Sequence, residues 1–206
     1  MNNKVNIAVL VSGGGTNLQA LIYAQKSGIL TNGEIKLVVS SNKNAYALKR
    51  AENAGIKTEI CERKGFSQKE FEESILNALE KEKIEVIVLA GFMSILSADF
   101  VKRYPDRIIN VHPSLIPSFC GEGFYGLRVH KAALDYGVKV TGATVHFVNE
   151  IPDGGRIIMQ KAVDIEENDT PEILQKRVME NAEWIILPTA AEKVCKEIKE
   201  RKNERI

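Results

Sequence analysis

This sequence predicts an α/β fold: a Rossmann-like, doubly wound, mostly parallel sheet with an antiparallel C-terminal strand and a long C-terminal helix. Three observations carry that expectation. Short apolar runs alternate with segments of helical periodicity, a glycine-rich turn follows the first run, and Ile84 to Ala90 is almost wholly apolar, Glu85 excepted. A run of the last kind suits a central parallel strand covered on both faces.

The elements follow in order. Val5-Asn-Ile-Ala-Val-Leu-Val11 reads as a buried strand closed by Ser12-Gly13-Gly14-Gly15-Thr16-Asn17. Leu18, Leu21, Ile22 and Ala24 then recur at helical spacing until Gly28. Ile35 to Ser40 is a second strand, Ala45 to Ala54 a helix stopped by Gly55, and Thr58 to Cys61 a third strand. Phe71, Ile75, Leu76 and Leu79 mark one face of a third helix. Ile108 to Val111 is the fifth strand, with a helix near Val129 to Tyr136. Val138 to Val148 and Arg156 to Val163 are two strands with no helix between them, hence antiparallel. A helix from Pro171 to Arg201 closes the chain, with a kink expected at Pro188. Lys196 to Arg205 is expected to fray as a solvated tail.

Composition bounds the function. With 206 residues the chain is long enough for one full core, so residues 1–206 are expected to form a single domain. A net charge of +1 gives no electrostatic reason to expect nucleic acid or an anionic membrane. No apolar run approaches a membrane span, and no signal-peptide sequence precedes Val5. Cys61, Cys120 and Cys195 are odd in number and far apart, which suggests neither a disulfide framework nor a zinc site. A cytoplasmic location is the expectation.

Two constellations carry chemistry. The first is the glycine turn: glycines let the backbone approach a ligand closely, and the following helix start offers free N–H groups to an anion. It lacks both dinucleotide spacing and the Lys-Ser/Thr of a triphosphate loop. A phosphate site and a tight turn capped by Thr16 or Asn17 are the two readings. The second is Asn110-Val-His112-Pro-Ser-Leu-Ile-Pro117. Asn110 and His112, two apart at a strand end, project in one direction and set an amide donor beside a titratable ring. Such a pair suits a reaction in which negative charge develops on a carbonyl oxygen. Asp153, in Pro152-Asp-Gly-Gly155, either pairs with His112 or simply makes a turn. His130 reads as structural, His146 as core-lining or near the site, and Cys120 as a bystander.

Ser12-Gly-Gly-Gly-Thr-Asn-Leu-Gln19, Leu89-Ala-Gly-Phe-Met93, Asn110-Val-His-Pro-Ser-Leu-Ile-Pro117, Gly142-Ala-Thr-Val-His-Phe147 and Asp153-Gly-Gly155 occur in this order. Together they resemble the phosphoribosylglycinamide formyltransferases, or glycinamide ribonucleotide transformylases, of the folate-dependent formyltransferase superfamily. The resemblance runs from about Val5 to Pro188. It implies transfer of a formyl group from 10-formyltetrahydrofolate, as co-substrate, to the amine of glycinamide ribonucleotide in de novo purine biosynthesis. By similarity, Gly15, Thr16 and Asn17 hold the ribonucleotide phosphate and Glu183 binds the glycinamide substrate. Met93, Ser94, Ile95 and Leu96 line the pterin pocket, with Asn110 also at the folate, and the loop from Asn149 to Asp153 closes on it. Asn110, His112 and Asp153 match the catalytic trio. Residues 1–105 become the phosphate-binding half and 106–206 the catalytic and folate-binding half.

The expected chemistry is direct attack by the amine, with the oxyanion stabilised by Asn110 and protonated His112, whose pKa a neighbouring Asp153 would raise. No metal is expected, and the partners are small molecules acting on a monomer or homodimer, without nucleic acid or membrane. Three features depart from the family pattern. Only Gln68 or Lys69 offers itself for a donor often found after the third strand, Arg156 stands where relatives commonly show proline, and Phe119 to Gly126 is longer than in some relatives. The alternative is a 10-formyltetrahydrofolate hydrolase, which would use the trio on water; such enzymes carry an extra N-terminal domain, for which 206 residues leave no room. A formyltransferase acting on aminoacyl-tRNA would be longer and more basic. A non-enzymatic nucleotide-binding module would need only the glycine loop.

Overall fold

The computed structural model describes residues 4–204. Strands β1 (Val5–Val11), β2 (Gly33–Ser40), β3 (Lys57–Ile60), β4 (Val86–Leu89) and β5 (Ile108–His112) run parallel. β6 (Val140–Phe147) is antiparallel to β5, and β7 (Ile157–Asp164) is antiparallel to β6. One seven-stranded sheet results, in the order β3-β2-β1-β4-β5-β6-β7. The order reverses between β1 and β4, and open α/β sheets bind ligands outside the carboxyl ends of the strands at such a point.

Helices cover both faces. On one lie α1 (Thr16–Ser27), α2 (Tyr46–Asn53), α6 (Pro171–Val178) and α7 (Trp184–Asn203), where Leu18, Leu21, Ala47, Leu174 and Leu187 pack on Ile7, Val9 and Ile109. On the other lie α3 (Gln68–Lys81) and α4 (Ala98–Arg103), where Phe71, Ile75, Leu79 and Phe100 pack on Ala8, Leu10 and Ile108. Helix α5 (Leu127–Tyr136) lies between β5 and β6 in sequence. Strand alternation puts Ile109 and Val111 in the first core, so Asn110 and His112 share the other face with Ile108.

The structure corrects the sequence reading in three places. Helix α4 has no apolar period long enough to show; Ser97 caps it by accepting the Phe100 N–H. The last helix is not a single α-helix: a π-turn, Met179–Glu183, stands ahead of α7, which runs on through Pro188. Proline lacks an N–H and crowds the carbonyl four residues earlier, here Trp184, so the widened turn falls where the helix needs relief. The tail does not fray at Lys196: α7 continues to Asn203 because Cys195 and Ile198 are buried and Lys199 donates to Asn32 at 3.1 Å. Arg205, and the stretch before Lys4, lie outside the described residues. Among the described residues no helix is long and apolar enough to cross a membrane.

His130 is only partly the satisfied structural residue expected. It is buried on α5, but neither ring nitrogen has a hydrogen-bond partner. Burial, helped by the nearby His112 charge, pushes it down to about 4. The unfolded chain takes up that proton near 6.5, so stability from the neutral ring is complete above that pH and lost as the pH falls towards 4. His130→Leu is therefore expected to be at least as stable as the parent at pH 7.5. It should also recover much of about 3 kcal/mol of acid sensitivity between pH 6.5 and 4. Urea unfolding at both pH values measures this; an unchanged pH slope would refute the assignment.

Candidate active site

Three loops meet at the carboxyl ends of β1, β4 and β5. The first is the glycine turn. Gly15 is left-handed at φ 73°, and a Cβ there would lie 2.6 Å from that of Ala47. No side chain caps α1, which removes the capped-turn reading and leaves its first N–H groups open. Arg50 stands beside the turn, donating from Nε to the Gly14 carbonyl at 2.8 Å with its guanidinium over the Tyr46 ring. The Asn17 side chain turns inward instead: its amide donates to Glu183 Oε2 at 2.6 Å, while its own carbonyl oxygen is buried without a partner. Asn17 thus offers an anion its backbone only. Burial pushes the Glu183 carboxyl up, against the lowering effect of the Asn17 bond.

The second loop follows β4. Met93 and Ile95 are 59% and 74% exposed, whereas Leu96 is buried in the core cluster that α3 covers. Met93 N–H donates to Ser12 Oγ at 2.9 Å, tying this loop to the glycine turn. Gln68 spends its amide on Glu72 at 2.6 Å and the Ile95 carbonyl at 3.0 Å, and Lys69 pairs with Glu73 in solvent.

The third is the polar cluster at β5. Asn110 pairs across the strands with His146, and His112 with Thr144. The Asn110 amide approaches His146 Nε2 at 3.2 Å and Asp153 Oδ1 at 3.5 Å. Asp153 comes from the turn between β6 and β7 and is itself left-handed, φ 55°. Gly155 is obligatory there, since a Cβ would lie 1.7 Å from the Phe147 carbonyl oxygen. Asp153 Oδ2 faces His112 Nδ1 at 3.4 Å and accepts from Gly121 N–H at 2.9 Å, and Oδ1 lies 3.5 Å from His146 Nε2. The two elements separated in sequence thus converge, and His146 joins them. Its position opposite Asn110 follows from the β5–β6 register, which the sequence does not reveal. Arg156, in the place of the proline, stacks over the Phe147 ring at 4.5 Å and so anchors the same turn.

Proton positions follow from the carbonyl partners. His112 Nε2 is 2.9 Å from the Phe119 carbonyl, so it carries the hydrogen. Nδ1 then needs a second proton to bond Asp153 rather than repel it. Burial opposes that charge, and it outweighs Asp153, holding His112 below its ordinary value. The expected rise is thus corrected: Asp153 pulls upward, but desolvation is the larger effect. Burial pushes Asp153 up, yet the adjoining His146, the His112 charge and the Gly121 N–H together hold it low. Cys120 is pushed up by burial and by Asp153, which leaves its thiol protonated and unsuited to attack. A separate cavity of about 450 Å³ between α1 and α7, lined by Tyr23, Trp184 and Pro188, meets the glycine turn only through Thr16 and Arg50.

The formyl transferase family profile matches residues 5–190. The trifunctional purine biosynthetic protein adenosine-3 of Gallus gallus is 47% identical over 94% of this chain, which spans only 19% of that protein's length. Among solved structures, glycinamide ribonucleotide transformylase 1 from Symbiobacterium toebii superposes with a TM-score of 0.88 at 35% identity, covering 96% of this chain and 90% of that one. Phosphoribosylglycinamide formyltransferase from Brucella melitensis does so at 0.85 and 41%, covering 93% and 96%. A profile spanning nearly every element, joined to solved relatives matched along almost their whole length, makes this chain a member of the formyl transferase family.

Proposed function

We propose that this chain transfers the formyl group of 10-formyltetrahydrofolate to the amine of glycinamide ribonucleotide in de novo purine biosynthesis. The observation that carries the reading is the convergence of Asn110, His112 and Asp153 at the carboxyl end of β5, in a fold whose solved relatives bear that enzyme's name.

The amine nitrogen attacks the formyl carbon; an N–C bond forms and the carbonyl pair moves onto oxygen. Asn110 has two amide hydrogens, one directed at His146 and Asp153, the other available to the oxyanion. His112 Nε2–H serves the same oxygen once its bond to Phe119 is exchanged for one to substrate. Collapse breaks the bond from carbon to N10. The amine loses one proton and N10 gains one, so none is consumed, and His112 backed by Asp153 holds it between the two steps. The free site favours neutral His112; negative charge arriving on the formyl oxygen offsets the desolvation and stabilises the imidazolium.

Gly15 and Thr16, with the Asn17 backbone, bind the phosphate at the uncapped start of α1, and Glu183 meets the glycinamide. Met93, Ser94 and Ile95 form the folate wall, which Asn149 to Asp153 closes from the other side. Both halves serve both substrates: phosphate loop and folate wall come from residues 1–105, trio and Glu183 from 106–206.

Turnover is tested by following deformylation of 10-formyl-5,8-dideazafolate with and without glycinamide ribonucleotide. Dependence on the ribonucleotide supports transfer, whereas formate release without it establishes a hydrolase. Asn110→Ala and His112→Ala are each expected to lower kcat/KM about 10²–10³-fold; near-normal turnover in folded protein sinks the assignment. Because the folded value of Glu183 is raised, stability declines as pH climbs from its ordinary 4.5 through that value. Glu183→Gln should then melt no lower than the parent at pH 7.5 while raising the ribonucleotide KM about tenfold, one charge-assisted hydrogen bond's worth. A lower melting temperature with unchanged KM would count against it.

A further inference from the structure

The segment Gly91–Ser97 is built unevenly. Phe92 stacks on Phe71 and Leu96 enters the core, while Met93 and Ile95 stand in solvent. Holding two large apolar side chains outward in a short loop needs polar anchors at its ends. Ser12 supplies the first, through Met93 N–H, and is braced by Ser41 Oγ at 2.7 Å. The second is Glu72, one turn into α3 and only 7% exposed.

Glu72 accepts from three donors. Oε1 takes the Ser97 N–H at 2.6 Å and the Gln68 amide at 2.6 Å, and Oε2 takes the Ser97 hydroxyl at 2.5 Å. Gln68 passes its amide on to the Ile95 carbonyl at 3.0 Å. A buried carboxylate is costly unless satisfied, and this one is met by Gln68 from its own helix and by Ser97 at the end of the exposed segment. Capping α4 does not require it, because Ser97 Oγ already accepts the Phe100 N–H. What Glu72 adds is a fixed position for the Ile95 carbonyl and the Ser97 backbone, the two points that set how Ile95 projects.

We infer that Glu72 is a positioning residue for the folate co-substrate: without touching it, Glu72 holds the Met93–Ile95 wall in its binding shape through Gln68 and Ser97. This rests on the proposed folate wall. Preorganisation of this kind acts on affinity and not on the bond-breaking step.

The test is steady-state kinetics of the full chain with 10-formyl-5,8-dideazafolate and glycinamide ribonucleotide, comparing Glu72→Gln, Gln68→Ala and Ile95→Asp. Glu72→Gln and Gln68→Ala should each raise the folate KM about tenfold. Their kcat and ribonucleotide KM should stay within about twofold of the parent, as an effect confined to binding requires. A merely structural Glu72 would lower the melting temperature and leave both KM values unchanged, which overturns the inference. If Glu72→Gln does not fold, Gln68→Ala, at the half-buried start of α3, decides alone. An Ile95→Asp that leaves the folate KM unmoved defeats the folate wall itself, and this role with it. An Ile95→Asp that raises it beside silent Gln68 and Glu72 variants defeats only the positioning role.

Discussion

Asp153 occupies left-handed backbone in a turn that closes only because Gly155 has no side chain to strike the Phe147 carbonyl. From there its two carboxylate oxygens meet Asn110, His112, His146 and the Gly121 N–H, groups drawn from β5, β6 and the loop after β5. The orientation of Asn110, the second proton of His112 and the closeness of the Phe119–Gly126 loop all follow from where this one carboxylate sits. Its charge is held by its neighbours against the burial that would remove it. Burial at His112 runs the other way, so the cluster stores an ionised acid beside a reluctant base. Such a balance is sensitive to any charge that enters the cleft, as a developing oxyanion does.

Much of this was legible beforehand, for identifiable reasons. Parallel strands buried on both faces show as unbroken apolar runs, so β1 and β4 announced themselves, and the doubly wound topology followed. The pairing of Asn110 with His112 was legible because strand periodicity is local. The role of His146 was not, because facing Asn110 depends on a register set across a 27-residue connection between β5 and β6. Leu96 reads as one more apolar residue in the exposed segment, yet it alone of Met93, Ile95 and Leu96 enters the core. The π-turn was hidden because a helix with one extra residue per turn keeps the composition of an α-helix. Only Pro188, a few residues later, hinted at strain. Glu72 carries no sequence signal at all: an acidic residue on an amphipathic helix looks solvated until its partners are seen.

The glycine turn and the β4 loop, which the proposed reaction gives to different substrates, are joined through a single serine. Ser12 accepts from Met93 N–H, donates its own N–H to Gly91, and leans on Ser41. Two short loops that would otherwise be independent thus become one rigid rim. Such a rim suits a bimolecular reaction, in which holding both reactants still lowers the entropic part of the barrier.

The last helix reaches back across the chain. Glu183 bonds Asn17, Glu192 gathers the N–H groups of Thr31 and Asn32, and Lys199 meets Asn32 again, each contact spanning some 160 residues of sequence. During synthesis at about 5–20 residues per second, these partners are separated by roughly ten seconds or more. The start of α1 therefore waits for the π-turn ahead of α7, which carries Glu183, before Asn17 is locked inward. A nascent chain can assemble β1 to β4 early, yet its glycine turn stays unfinished until the partner of Asn17, 166 residues further on, has been made.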